Sequence, residues 1–150
     1  MSQEGILQPI DESVGYVLKK ATAALRVAMD NALRPLDLTV PQYACLEVLR
    51  QRPGLSGSEL ARAVFVSRQS MNLVLKGLED RGLLTRPPVP SHGKALPTEL
   101  TPAGRERLRA ANEALSVVEN RMLAALSPSA QRRLCADLGS IAAALSDTTG

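Results

Sequence analysis

Ser56-Gly-Ser-Glu-Leu-Ala-Arg-Ala-Val-Phe-Val-Ser-Arg-Gln-Ser-Met-Asn-Leu-Val-Leu-Lys-Gly-Leu-Glu-Asp-Arg-Gly-Leu-Leu-Thr-Arg86 is the stretch whose reading decides the fold. Ser56 and Glu59 stand three residues apart, the spacing of a capping box, and predict a short helix over about 56–65 with Leu60, Ala61 and Val64 facing inward. Ser67 is a second N-cap. Behind it, Met71, Val74, Leu75 and Leu78 fall at i, i+3, i+4 and i+7, one narrow apolar face of a helix over about 68–81. Gly82 sits where a helix needs its left-handed C′ residue. Two short capped helices joined by a tight turn are thus written into the sequence.

Leu83-Leu-Thr-Arg86 and Leu96-Pro-Thr-Glu-Leu100 read as short extended runs, and the proline-rich segment from Pro87 to Gly93 between them suits an exposed turn. A ribbon over about 83–100 beside a helix-turn-helix is a wing. The segment 39–101 is therefore read as a winged helix-turn-helix, a unit that puts one helix in the DNA major groove and a ribbon beside it.

Outward from this module the chain is helical. Asp11 or Ser13 caps a first helix reaching about Leu36, with Val14, Leu18, Ala21, Leu25, Ala28 and Ala32 at helical spacing and Pro35 in its last turn. Thr39 and Gln42 form another capping box before a helix carrying Tyr43, Leu46 and Leu49, stopped by Pro53-Gly54. Thr101-Pro102 restarts helix as N-cap and N1. Leu108, Ala111, Leu115, Val118, Met122 and Ala125 then alternate steps of three and four, an a/d-like seam. Ser127-Pro128 opens a last helix striped by Leu134, Leu138, Ile141 and Leu145. These terminal stripes exceed what the central module can cover. Residues 11–36 plus 102–147 are expected to form an all-α dimerisation region, the alternative being that they fold back as core. The fold class is mainly α with a small β-wing.

At 150 residues and 45% hydrophobic the chain can bury a real core, and no apolar run approaches a membrane span. The start lacks a signal-peptide pattern, and Cys45 and Cys135 have no CxxC partner, so a cytoplasmic protein with free thiols is expected. Net charge is only +3, but Arg50 to Arg109 holds eleven basic against five acidic residues. The positive charge lies on the segment expected to meet phosphates.

The face of the recognition helix opposite its apolar stripe holds Arg68, Gln69, Asn72, Leu73 and Lys76. Arg can bridge guanine O6 and N7, Gln or Asn can bridge adenine N6 and N7, and an exposed Leu73 suits a thymine methyl. Ser67 and Ser70 are short donors for phosphates or base edges, and Lys76, two turns in, suits the backbone. His92 is the only histidine, with no clustered ligand beside it. No metal site, cofactor motif or nucleophile–base set is visible, so an enzyme is not expected.

The order and spacing of Leu38-Thr-Val-Pro-Gln-Tyr43, Leu60-Ala61, Val66-Ser67-Arg-Gln-Ser70, Leu78-Glu-Asp-Arg-Gly-Leu-Leu84 and Leu100-Thr-Pro-Ala-Gly104 resemble the MarR (multiple antibiotic resistance regulator) family across nearly the whole chain. The resemblance implies a homodimer that binds double-stranded DNA at a pseudo-palindromic operator, usually represses, and is released by a small-molecule effector. Tyr16, Arg26 and Tyr43 are candidates for the effector pocket. Members typically carry Asp-x-Arg in the wing, five residues before Leu-Thr; this chain has His92-Gly93-Lys94 there. Lys94 keeps a cation but lacks the planar fork of arginine, and His92 cannot clamp it as a carboxylate would. A weakened minor-groove contact follows, with Arg86 as help from the strand.

Two further readings stand beside the regulator. The altered wing suits an architectural or protein-interaction module of weak sequence specificity. Cys45 opens a redox-sensing regulator, although the peroxide-sensing branch of the family carries its thiol near the first helix, where this chain has none.

Overall fold

The structure is a computed structural model that describes residues 9–86 and 98–146. Its helices are α1 (Val14–Leu33), α2 (Val40–Gln51), α3 (Gly57–Val64), α4 (Arg68–Asp80), α5 (Pro102–Leu123) and α6 (Pro128–Ser146), with strands β1 (Leu84–Thr85) and β2 (Glu99–Leu100) between α4 and α5. The expected first helix over 11–36 is shorter than its pattern. Ile10–Glu12 and Arg34–Leu36 are 3-10 turns, and Pro35 lies in the second of these. A proline cannot donate the next helical hydrogen bond, so the chain tightens there. Ser13 rather than Asp11 is the N-cap residue, and its side chain makes no capping bond.

The two capping boxes form as the sequence requires. Thr39 accepts from the Gln42 amide while the Gln42 side chain accepts from Thr39 N–H, and Ser56 and Glu59 do the same at α3. Glu59 is held below the usual carboxylate range by the Ser56 backbone amide and hydroxyl it receives. Each box satisfies orphan amides of a first turn.

Three chain reversals share one hydrogen-bond pattern, in which the residue after a left-handed one donates five residues back. Leu38 donates to the Leu33 carbonyl around Asp37, Val66 to Ala61 around Phe65, and Leu83 to Leu78 around Gly82. The left-handed residues have φ of 54°, 63° and 72°. Gly82, expected as the C′ residue of α4, fills that role without a Cβ penalty.

The chain divides into two compact units, one ending at Leu115 and one beginning at Ser116. The core of the first unit collects Leu33 from α1, Cys45, Leu46 and Leu49 from α2, Leu60 and Ala61 from α3, and Met71, Leu75 and Leu78 from α4. Leu83, Leu84, Leu100, Leu108 and Ala111 complete it. The apolar faces read from α2, α3 and α4 are thus the ones turned to the core, with Tyr43, Val64 and Val74 half-buried at the margin. Arg107 and Arg81 donate to the carbonyls of Leu36 and Asp37, each at 2.6 Å, and pin the connection between α1 and α2.

In the second unit Ser127 caps α6 through the Ala130 amide (3.1 Å), and Gln131 donates to the Leu126 carbonyl (3.0 Å). No α6 residue is buried, and Leu134, Leu138 and Leu145 stay exposed. Met122, Leu123, Leu134, Cys135 and Leu138 are among the residues lining an open cavity of about 440 Å³ within this unit.

Candidate nucleic-acid interface

The recognition helix α4 rests on α3, its inner face closed by Met71, Leu75 and Leu78. Its outer face is set by the same periodicity. Gln69, Asn72, Leu73 and Lys76 all lie exposed, as do Ser67, Arg68 and Ser70 around the first turn. Leu73 is 71% exposed, an unusual position for a leucine on a solvated helix, as its sequence position indicated.

The first turn is pre-ordered. The Ser67 hydroxyl oxygen accepts from the Ser70 amide at 3.0 Å, and the hydroxyl itself donates to Ser70 Oγ at 3.0 Å. Ser67 is therefore occupied as a cap, while the Ser70 hydroxyl proton stays available to an outside acceptor. The remaining first-turn amides and the helix dipole favour a phosphate at this end. Arg68 makes no ion pair among the described residues, so its guanidinium is free to meet an external acceptor.

Lys76 pairs loosely with Asp80 at 3.6 Å on the exposed surface. Such a pair is weak and exchanges readily with a phosphate.

The wing begins as a two-stranded antiparallel ribbon, Leu84 opposite Leu100 and Thr85 opposite Glu99. The root is fixed to α5 from two sides. Thr101 donates its amide to the Leu83 carbonyl (3.2 Å) and its hydroxyl to the Gly82 carbonyl (2.6 Å), while its Oγ1 accepts from the Gly104 amide (3.0 Å). Thr101 is thus the N-cap of α5, as read from the sequence, and also the tie between wing and helix. Gly104 is buried against this tie, where a Cβ would lie 1.9 Å from the Leu83 carbonyl oxygen.

Arg86 is less free than a strand cation aimed at DNA. Its amide donates to one carboxylate oxygen of Glu79 (3.3 Å) and its guanidinium lies 3.8 Å from the other. This tether is not legible in the sequence, because the pair stands seven residues apart on two kinds of secondary structure. His92 and Lys94 lie outside the described residues.

Of the three residues expected around an effector, Tyr16 and Arg26 are exposed on α1, with Arg26 3.8 Å from Asp30. Tyr43 is half-buried on α2 and donates its hydroxyl to Asn112 Oδ1 of α5 at 2.7 Å. On the same helix, hydrogen bonding to Arg50 holds the Glu47 carboxyl below its usual range. An open, polar cavity of about 490 Å³ nearby is lined by Asp30, Arg34, Asp37, Leu38, Thr39, Gln42 and Arg81, and by none of the three.

Cys45 is fully buried, and desolvation pushes its thiol up to about 12. A thiol so protonated is a small hydrophobe and a poor nucleophile, which removes the physical basis for sensing through Cys45. No cluster of three His, Cys, Asp or Glu side chains that could hold a metal occurs among the described residues, and none of their helices is long and apolar enough to cross a membrane.

A capped helix with a free cationic first turn, seated on a partner helix and followed by a ribbon locked to the next helix, defines a winged helix-turn-helix. The comparison with known proteins makes this specific: the chain belongs to the MarR family, whose pattern matches residues 36–95. Over 133 residues it is 43% identical to the HTH-type transcriptional repressor Rv2887 of Mycobacterium tuberculosis, covering 87% of this chain and 96% of that protein. The crystal structure of Rv2887 in complex with DNA superposes with a TM-score of 0.72 at 40% identity, over 87% of this chain and 98% of that one. Its complex with salicylic acid gives 0.71 at 41%, over 87% and 97%. The transcriptional repressor CouR bound to a 23-mer DNA duplex gives 0.80 at 29% identity, over 89% and 94%.

Proposed function

We propose that this protein is a transcriptional repressor that binds a pseudo-palindromic operator as a homodimer and is released by a small-molecule effector. The observation that carries the DNA reading is the exposed, capped first turn of α4, with Arg68 in no ion pair among the described residues and Gln69, Asn72 and Leu73 on the outward face. Relatives of the same family with DNA bound support it.

In the groove, the Ser67-capped helix end receives a phosphate and sets the register, which carries no sequence information. Arg68 then reads guanine through O6 and N7, Gln69 or Asn72 reads adenine, and Leu73 packs on a thymine methyl. Lys76 leaves Asp80 for a phosphate. Each phosphate neutralised releases counterions, so affinity falls as salt rises.

The dimer is supported by what one protomer leaves uncovered. Val14 and Val17 on α1 and Leu134, Leu138 and Leu145 on α6 are exposed apolar side chains at helical spacing. A second copy is the commonest cover for such stripes, and a two-fold protein reads two half-sites. The effector reading leans on the relative crystallised with salicylic acid. Tyr43, already donating to Asn112, is the pocket residue best placed to exchange its hydrogen bond with a ligand.

Selection of bound duplexes from a random pool tests the proposal. It should return an inverted repeat with half-sites about 10 base pairs apart, or a multiple of a helical turn. Recovery of no common motif, at a binding strength equal to that for bulk DNA, refutes the operator reading. Salicylate added to the complex should release the selected duplex; an unchanged complex at saturating salicylate removes this effector class.

A further inference from the structure

Phe65 combines a strained backbone with an unburied ring. It is the only phenylalanine in the chain, it closes α3 with φ of 63°, and it is 93% exposed. Among the described residues the same closing pattern occurs twice more, and there the left-handed residue is Gly82 or Asp37, types that tolerate the conformation. A bulky side chain in that region is disfavoured, and burial of the ring would be the usual compensation. Here the ring contributes almost no packing within the protein. Stability alone gives no reason for a phenylalanine at this turn.

Position supplies one. Phe65 is two residues before Ser67, the cap of the helix end assigned to the major groove, so it stands at the mouth of that groove when the helix is seated. What borders a groove mouth is sugar and phosphate, and deoxyribose offers an apolar face to an aromatic ring. The exposed Leu73 shows that the outward surface of this module already carries apolar groups. We propose that Phe65 packs on a deoxyribose of the strand flanking the half-site, a contact that adds affinity without reading sequence. The inference rests on the DNA-binding reading of α4 and extends its surface to the turn between α3 and α4.

The test uses the full-length protein with two duplexes of about 30 base pairs, one recovered by selection and one of mixed sequence. Phe65→Asn and Phe65→Gly relieve the left-handed strain, so both should raise the melting temperature by a few degrees. Both should weaken binding to either duplex by roughly fivefold to thirtyfold, the loss expected for part of a buried aromatic side chain. The slope of log affinity against log salt should stay at the wild-type value, because no cation is removed. Wild-type affinity in the stabilised variants overturns the proposal, as does a lower melting temperature or an altered salt slope. Arg68→Ala, measured in parallel, separates the two readings. If it weakens binding to the selected duplex and relaxes the preference at one base position while the Phe65 variants bind normally, only the turn contact fails. If neither change alters binding, the reading of α4 fails as well.

Discussion

Gly104→Ala should destabilise the protein, although a glycine-to-alanine change inside a helix ordinarily stabilises by about 0.5–1 kcal/mol. The added Cβ would stand 1.9 Å from the Leu83 carbonyl oxygen, 2.9 Å from its carbon and 3.4 Å from its Cα. These are backbone atoms of a 3% exposed residue, so no side-chain rotation relieves the overlap. Leu83 or the first turn of α5 must retreat by about 1 Å to reach a contact that proteins tolerate. That movement stretches the Thr101 amide bond to Leu83 (3.2 Å) and the Thr101 hydroxyl bond to Gly82 (2.6 Å). Losing two hydrogen bonds at about 1 kcal/mol each, together with about 1–3 kcal/mol for overpacking, exceeds the helical gain. The expected net loss is roughly 2–4 kcal/mol by urea denaturation at fixed protein concentration. Gly77→Ala is the matched control. Its Cβ would meet only the Gln42 amide nitrogen at 3.8 Å, so the same substitution in α4 should be neutral or stabilising. A Gly104→Ala protein as stable as wild type refutes the reasoning, since the clash would then have been absorbed at no cost.

Arg68→Ala should weaken binding to a selected duplex by about 1–3 kcal/mol and relax the preference at one base position, checked by repeating the selection with the variant. Lys94→Ala should lower affinity modestly and reduce the salt slope by about one; unchanged values of both would remove Lys94 from the interface. Iodoacetamide at pH 8 on native protein should label Cys135, which is exposed, and spare Cys45, whose thiol is raised to about 12, with peptide mass spectrometry as the readout. Labelling of Cys45 at a similar rate would show that α2 opens readily. Acid should unfold the protein partly through Glu47, Glu59 and Glu106, all depressed in the folded state. Their stabilisation is present above the unfolded carboxylate value of about 4.3 and is lost as pH falls through the folded values; Glu106→Gln should flatten that limb of a stability–pH curve.

The parts of the fold legible in the sequence are those set by neighbours three or four residues apart. Both capping boxes, the Ser67 and Thr101 caps, the Gly82 closure and the inner face of α4 depend on such local spacings, and all formed. What escaped is set by tertiary approach. Arg81 and Arg107 read as part of a basic, DNA-directed segment, yet their guanidinium groups hold the Asp37 and Leu36 carbonyls, 44 and 71 residues away. Arg86, expected to help the wing reach DNA, also turns its amide and guanidinium toward Glu79, a pairing across two elements. Phe65 carried a faint signal, an aromatic where a helix-ending glycine or asparagine is usual, but its exposure needed the structure.

These placements change how the charge of the basic segment acts. Arg50 is tied to Glu47 and Arg109 to Glu106 and Glu113, on top of the two arginines that brace the α1–α2 connection. Among the described residues of that segment, Arg52, Arg62, Arg68 and Arg105 make no ion pair and stay free for phosphates. With four of these arginines tied to the framework, the protein should release fewer counterions per protomer than its nominal charge suggests, so its salt slope should be shallower than that charge implies. Affinity must then come more from shape and apolar contact, the part assigned to Leu73 and Phe65. A steep slope, close to the full count of basic residues in the segment, would mean that the framework pairs break on binding. It would shift the weight of recognition back to charge.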